Sequence, residues 1–353
     1  MKSVQPNPTG APTFSAAPPE VRLDRLRSGE DEEALRLACA LLQDDQVVAF
    51  PTETVYGLGG SALSAQAIAT IYRVKGRPAY NPLIVHVPDA LSARALCRDG
   101  AAFDDRAAAL AARFWPGPLT LVLPRSPRVP AVVSAGLATI ALRAPAHPVA
   151  LRLLRACGLP LAAPSANPSE RLSPTSAAHV LRGLPDLPLV LDGGPCALGI
   201  ESTVVDLTTP IPRLLRPGAL SLARLRQALP ELQVLQVAQQ LASAAPSPSP
   251  GMLARHYAPR ARVLLVPSQR ALEALDPSAL AAPIGLLACA PCPALGAAVS
   301  EILPSDPPGY AADLFAALHR LDDAGVATIV AVLPPDHEDF AAARDRLRRA
   351  ATP

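Results

Sequence analysis

Aromatic residues make up only 3% of this 353-residue chain, with a single tryptophan, although half of all residues are apolar. Its core must therefore be built from Leu, Val, Ile and Ala rather than from stacked rings. No run of 18 apolar residues offers a membrane span, and residues 1–28 lack the apolar centre of a signal peptide. A dominant charge is missing too: the net charge is +2, no nucleic-acid footprint by itself. The six cysteines, at positions 39, 97, 157, 196, 289 and 292, are scattered and mostly lie in apolar runs. That distribution fits a reduced cytoplasmic protein better than a disulfide scaffold. Cys289-Ala290-Pro291-Cys292 is a C-x-x-C with no second pair to complete a zinc site. No Walker loop, G-x-x-x-x-G-K-[ST], occurs anywhere.

What is present is concentrated in residues 47–87. Two apolar runs, Val47–Phe50 and Leu83–Val87, have the length of buried strands. Ile68, Ile71 and Tyr72 recur between them at helical spacing, and Gly76 followed by Pro78 stops that helix just past Lys75. Pro51 and the glycines at 57, 59 and 60 are expected to break the chain after the first strand. The polar residues Thr52, Glu53, Thr54, Tyr56, Lys75, Arg77, Asn81 and His86 all fall at element ends, where a rigid scaffold can present them to a ligand. Lys75 and Arg77 flank a glycine that admits close backbone approach, a pattern suited to phosphate oxygens. For each of these residues alone, a solvated surface charge or a satisfied core histidine explains the residue equally well.

Along the rest of the chain, strands and helices mix without strict alternation, which predicts an α/β fold of the mixed α+β kind. Residues 1–28 read as a disordered tail, 29–235 as the main domain and 236–260 as a linker containing the stiff run Pro246–Pro250. Residues 261–353 carry four strand-like and three helix-like segments, a small Rossmann-like α/β domain without a G-x-G-x-x-G fingerprint.

The pairing of Lys75-Gly76-Arg77 with Ser165-Ala166-Asn167 resembles the hallmark of the YrdC-like family of L-threonylcarbamoyladenylate synthases. The likeness runs on through Trp115–Thr120, Leu142–Pro145, Gly199–Val204 and Leu215–Gly218, and the tail resembles the extra domain of the family's long form. The resemblance implies an open twisted sheet with a positively charged concave face. It implies a nucleotidyltransferase that condenses L-threonine, bicarbonate or CO2, and ATP into threonylcarbamoyl-AMP and pyrophosphate. It places Thr54, His86, Arg143, Ala163 and Ser202 around threonine. Lys75, Arg77, Asn81, Thr139, Ser165, Asn167, Ser173, Arg216 and Tyr257 would surround ATP, with Lys75, Arg77 and Arg143 carrying the catalysis. Mg2+ would accompany ATP, held largely by phosphates and water, with Glu201 or Asp206 as candidate assistants. The product would pass to a tRNA-modifying transferase, making that machinery a transient partner.

Two other readings stay open on the residues alone. YrdC-like folds with a basic concave face have been linked to double-stranded RNA, whose backbone the cations would track. A YrdC-like module also occurs in carbamoyltransferases that mature hydrogenases, but their zinc-finger-like and acylphosphatase-like segments have no counterpart here. Ser165 does not read as a hydrolase nucleophile, because Pro-Ser-Ala-Asn-Pro lacks the G-x-S-x-G elbow. Residues 261–353 are expected to hold no indispensable chemistry, while Tyr257 is expected on a lid over the nucleotide.

Overall fold

The computed structural model describes residues 25–99, 102–234, 256–291 and 295–352. Eleven strands form one mixed sheet: β1 (Leu26–Ser28), β2 (Val48–Phe50), β3 (Gly57–Ser61), β4 (Ile84–His86), β5 (Leu119–Pro124), β6 (Thr139–Arg143), β7 (Leu161–Ala162), β8 (Val190–Asp192), β9 (Thr203–Asp206), β10 (Arg213–Arg216) and β11 (Gln233–Val234). Their spatial order is β1-β8-β2-β3-β7-β4-β6-β5-β9-β10-β11. A second sheet holds β12 (Arg262–Val266), β13 (Ile284–Ala288), β14 (Val299–Ile302) and β15 (Thr328–Val332), all parallel, in the order β12-β15-β13-β14. The mixed α/β architecture and the small parallel domain agree with the expectation from sequence. The run Pro246–Pro250 lies outside the described residues.

Two expectations fail. Leu26–Ser28 lies within the tail read as disordered, yet it pairs in parallel with β8, Leu26 against Val190. The glycine-rich stretch read as a break is strand β3, antiparallel to β2 and to β7. Glycine serves packing there: a Cβ on Gly59 would lie 2.7 Å from the Phe50 ring.

Period-two alternation divides the central strands between a core face and a ligand face. On β6, Ile140 and Leu142 enter the main core with Leu121, Leu123, Val85 and Val205. Thr139, Ala141 and Arg143 occupy the opposite face of β6. Register places His86 beside Arg143 and Ile84 beside Ala141, Val122 opposite Ala141, and Thr120 beside Val204. Ile84, Val122, Ala141, Val204 and Leu215 form a separate small apolar bed on that face. The helices Glu32–Gln43 and Pro148–Cys157 pack at the β2–β8 end. The helix Pro307–Asp323 joins Val55, Leu172 and Ile200 of the larger unit in one further core with Tyr257. Among the described residues no helix is long and apolar enough to cross a membrane, and the five described cysteines form no disulfide.

Candidate active site

Nine of the side chains expected at the site line one cavity. They are Thr54, His86, Arg143, Ala163 and Ser202, together with Arg77, Ser165, Arg216 and Tyr257. The strand ladder explains the convergence. β4 and β6 end together at His86 and Arg143, and the chain leaving β7 brings Ser165 into a bridge with Gly57 of β3.

Arg143 is held on three sides. Its Nε donates to the Gly117 carbonyl at 3.2 Å and its Nη1 to Thr54 Oγ1 at 2.9 Å. Its Nη2 lies 2.7 Å from Glu53 Oε1, an ion pair too oblique to count as a hydrogen bond. Glu53 accepts from the Ala146 amide through its other oxygen, so it acts as a strut for the arginine. Thr54 Oγ1 also lies 2.8 Å from Thr52 Oγ1, and Ser202 Oγ lies 2.8 Å from Thr120 Oγ1. His86 is buried with its Nδ1 unpartnered. Burial, and then the neighbouring Arg143 charge, push its pKa down to about 3, so the imidazole is neutral at physiological pH.

The other end of the cavity gathers cations. Arg77 donates through Nε to the Asn81 carbonyl and through Nη2 to the Pro82 carbonyl. Arg216 donates to the Ser202 carbonyl at 3.2 and 2.9 Å. Burial lowers the pKa of Arg77 to about 10 and that of Arg216 below the usual arginine value. Burial and the Arg77 charge hold Lys75 well below the ordinary lysine value, and burial followed by Arg77 and Lys75 does the same to His256. Desolvated cations that weaken one another are stabilised by an incoming anion. Of these cations, Arg77 and Arg216 line the cavity, an arrangement suited to an anionic ligand.

Five expected residues do not line the cavity. Lys75 Nζ donates to the Ser165 and Asn167 carbonyls, both at 2.5 Å, and to Asn167 Oδ1 at 3.4 Å, which engages all three of its protons. It braces the Ser165–Asn167 segment from behind. The Asn167 amide donates to the Pro168 and Arg171 carbonyls within its own loop. Ser173 Oγ donates to Glu201 Oε1 at 2.6 Å. Asn81 is buried with neither amide atom paired among the described residues. Thr139 begins β6, about 13 Å along the strand from Arg143 at ~3.3 Å per residue.

Glu201 is the one carboxylate among the lining residues, and both oxygens are engaged, the second by Arg346 Nε at 2.9 Å. Asp206 accepts from Thr208, capping a turn. The described residues contain no cluster of three or more His, Cys, Asp or Glu that could cage a metal ion. Magnesium carried in on phosphates fits this donor set; a site built wholly from protein ligands does not. Sequence reasoning assigned no role to Arg346 or to Glu53 as the strut, because both act through partners remote in the chain. Tyr257 adopts a left-handed backbone with φ 62° and is buried against His256, at 4.0 Å between centroids, and against Phe315, at 5.4 Å.

Known proteins resemble this chain over most of its length. A family model described as telomere recombination, covering Sua5, YciO and YrdC proteins, matches residues 40–218. A second, described as the C-terminal domain of threonylcarbamoyl-AMP synthase, matches residues 220–352. A Pyrococcus abyssi protein named threonylcarbamoyl-AMP synthase is 40% identical over 338 residues, 92% of this chain and 96% of its own. A Bacillus subtilis protein of the same name is 46% identical over 227 residues, 64% of each chain. The crystal structure of the P. abyssi protein complexed with L-threonine superimposes with a TM-score of 0.84 at 38% identity, covering 91% of this chain and 95% of that one.

Proposed function

The chain belongs to the YrdC-like family of threonylcarbamoyl-AMP synthases, and we propose that the cavity between Arg143 and Tyr257 is where its reaction takes place. The observation that carries the assignment is that Thr54, His86, Arg143 and Ser202 share one cavity with the buried cations Arg77 and Arg216.

The threonine amine adds to bicarbonate or CO2, giving a carbamate, with water released when bicarbonate is the source. A carbamate oxygen then attacks the α-phosphorus of ATP, the bond to the β-phosphate oxygen breaks, and pyrophosphate leaves. No protein nucleophile takes part, so the site works by positioning and by stabilising charge. Arg143, steadied by Glu53, meets the threonine carboxylate with its remaining N–H groups. Thr54 and Ser202 read the substrate hydroxyl, and Ala163 leaves room for backbone approach. His86 stays neutral beside Arg143 and adds no competing charge.

Arg77 and Arg216 face the phosphates, while Lys75 keeps Ser165 in place from behind. The apolar bed of Ile84, Val122, Ala141, Val204 and Leu215 suits a flat base, with Thr139 at its far end and the unpaired amide of Asn81 nearby in sequence. A magnesium ion entering with the phosphates would supply charge neutralisation on the leaving group. Tyr257 covers the nucleotide and keeps water from the carbamate and the mixed anhydride.

The mixed anhydride is an activated acyl donor, consumed by a transferase acting on tRNA. A role in tracking duplex RNA is disfavoured by burial: Lys75, Arg77, Arg143 and Arg216 are each less than a tenth exposed and cannot reach along a groove. The reading is tested by pyrophosphate release with ATP, bicarbonate, a divalent cation and each of the twenty amino acids. Release should require threonine, bicarbonate and the cation together. Turnover of ATP to ADP and phosphate, indifferent to threonine, would overturn the assignment.

A further inference from the structure

The sequence gives residues 261–353 no part in the chemistry, yet one side chain from that region ends beside the cavity. Arg346 lies on the helix Ala341–Ala350 and is 1% exposed. Its Nε meets Glu201 Oε2 at 2.9 Å, across 145 residues of chain. Its Nη1 donates to the Pro217 carbonyl at 3.0 Å and to Asp345 Oδ2 at 2.8 Å. Its Cζ stands 5.2 Å from the centroid of the Tyr257 ring. The buried Nη2 has no hydrogen-bond partner among the described residues.

These contacts all fall at the end lined by Arg77 and Arg216. Pro217 directly follows Arg216, and Glu201 receives the Ser173 hydroxyl. Tyr257 holds a left-handed backbone conformation that is unfavourable for a non-glycine residue, so its neighbours must enforce it. Two of those neighbours, Phe315 and Arg346, come from the carboxyl-terminal region. A third tie runs from the His256 amide to the Arg349 carbonyl at 3.3 Å, and Arg349 is itself bound to Asp345. Among the described residues, no hydrogen bond or ion pair ties Thr54, His86 or Arg143, at the other end, to Arg346.

We propose that Arg346 is a positioning residue for the nucleotide: it sets the carboxylate of Glu201 and the ring of Tyr257, and through them the wall against which ATP is bound. This inference rests on the reading of the cavity as an ATP and threonine site. The geometry calls for arginine in particular. One planar group must serve a carboxylate, a carbonyl and an aromatic face at once, which an ammonium cannot do. The carboxyl-terminal domain thereby helps to shape the active site while touching neither substrate.

A buried ion pair that merely holds two domains together makes a different prediction, and steady-state pyrophosphate release separates the two. The variants are Arg346→Lys, Arg346→Met and Arg346→Met combined with Glu201→Gln, each also followed by thermal unfolding. Positioning predicts that Arg346→Met raises the KM for ATP about ten- to a hundred-fold, the loss of one or two charge-assisted hydrogen bonds. The KM for threonine should stay near the wild-type value, and Arg346→Lys should recover part of the loss. The double variant, which leaves no unpaired buried charge, should regain thermal stability without regaining ATP affinity. It also serves if Arg346→Met alone does not fold. An unchanged ATP KM in the folded variants, or equal weakening toward both substrates, would overturn the positioning role alone. A wild-type protein that releases no threonine-dependent pyrophosphate would overturn the cavity reading and this inference together.

Discussion

The two ends of the cavity draw on very different amounts of chain. At the Arg143 end, Thr54, His86, Arg143 and Ser202 all sit on or beside strands of the eleven-stranded sheet, tied by the β4–β6 ladder and by hydroxyl pairs. At the Tyr257 end, the wall is complete only when residues 256–257 and the helices Pro307–Asp323 and Ala341–Ala350 pack onto that sheet. Backbone ladders fix the first end locally. Side-chain packing between two sheets fixes the second, so it should yield first when the inter-sheet contact is disturbed.

The largest break in this comparison should come from Arg143. Removing one partner of a buried charge pair costs about 2–5 kcal/mol, which corresponds to tens to thousands of fold. Arg143→Ala should lower kcat/KM for threonine by that factor while leaving the KM for ATP nearly unchanged. It also strands Glu53, so Arg143→Ala with Glu53→Gln should fold better than the single variant yet use threonine no better. Kinetics with each substrate varied in turn decide the matter. Equal loss toward both substrates would mean that the two ends are not separate.

A subtler break uses two glycines with the same backbone hand. Gly199 has φ +59° and a Cβ there would lie 2.0 Å from the Ala312 carbonyl oxygen on the helix Pro307–Asp323. Gly76, at φ +61°, has nothing within 4 Å of the same imagined atom. Gly76→Ala should therefore cost only the left-handed penalty, about 1–2 kcal/mol. Gly199→Ala must also push the helix away, and should lose several times as much stability and weaken ATP before threonine. Chemical denaturation and the two KM values measure both. Equal stability losses at the two positions would show that the helix is not closely seated.

How much of this was legible in the sequence follows from the range of the contacts. The strand ends carrying Arg143, His86 and Ser165 were readable because short apolar runs and their punctuation are local signals. Strand β3 was not, since Gly57–Ser61 has neither β propensity nor alternation and becomes a strand only between β2 and β7. Lys75 was singled out in the sequence, but it does not line the cavity, and its role as a brace depends on carbonyls 90 and 92 residues downstream. Arg346 reads locally as one of several arginines on a polar helix. Only the fold reveals that its side chain is buried beside Glu201.

The smallest predicted effect per residue concerns pH and tests how dry both ends are. His86, at the Arg143 end, is lowered to about 3, chiefly by burial. His256, at the Tyr257 end, is lowered well below its ordinary value by burial and then by Arg77. The stacked pair His179 and His319, with ring centroids 3.8 Å apart, shifts the same way, again mainly through burial. In the unfolded chain each histidine titrates near 6.5. Below that pH the unfolded state takes up protons that the folded state refuses, so stability is fully present above about 6.5 and falls as pH drops toward the folded values. For a fully buried histidine such as His86 the slope approaches about 1.4 kcal/mol per pH unit. Denaturation midpoints measured from pH 7.5 down to 5 should therefore decline, and His86→Asn should flatten part of that decline. A midpoint constant across the range would mean that water reaches these rings and, at His86 and His256, the cavity those two line.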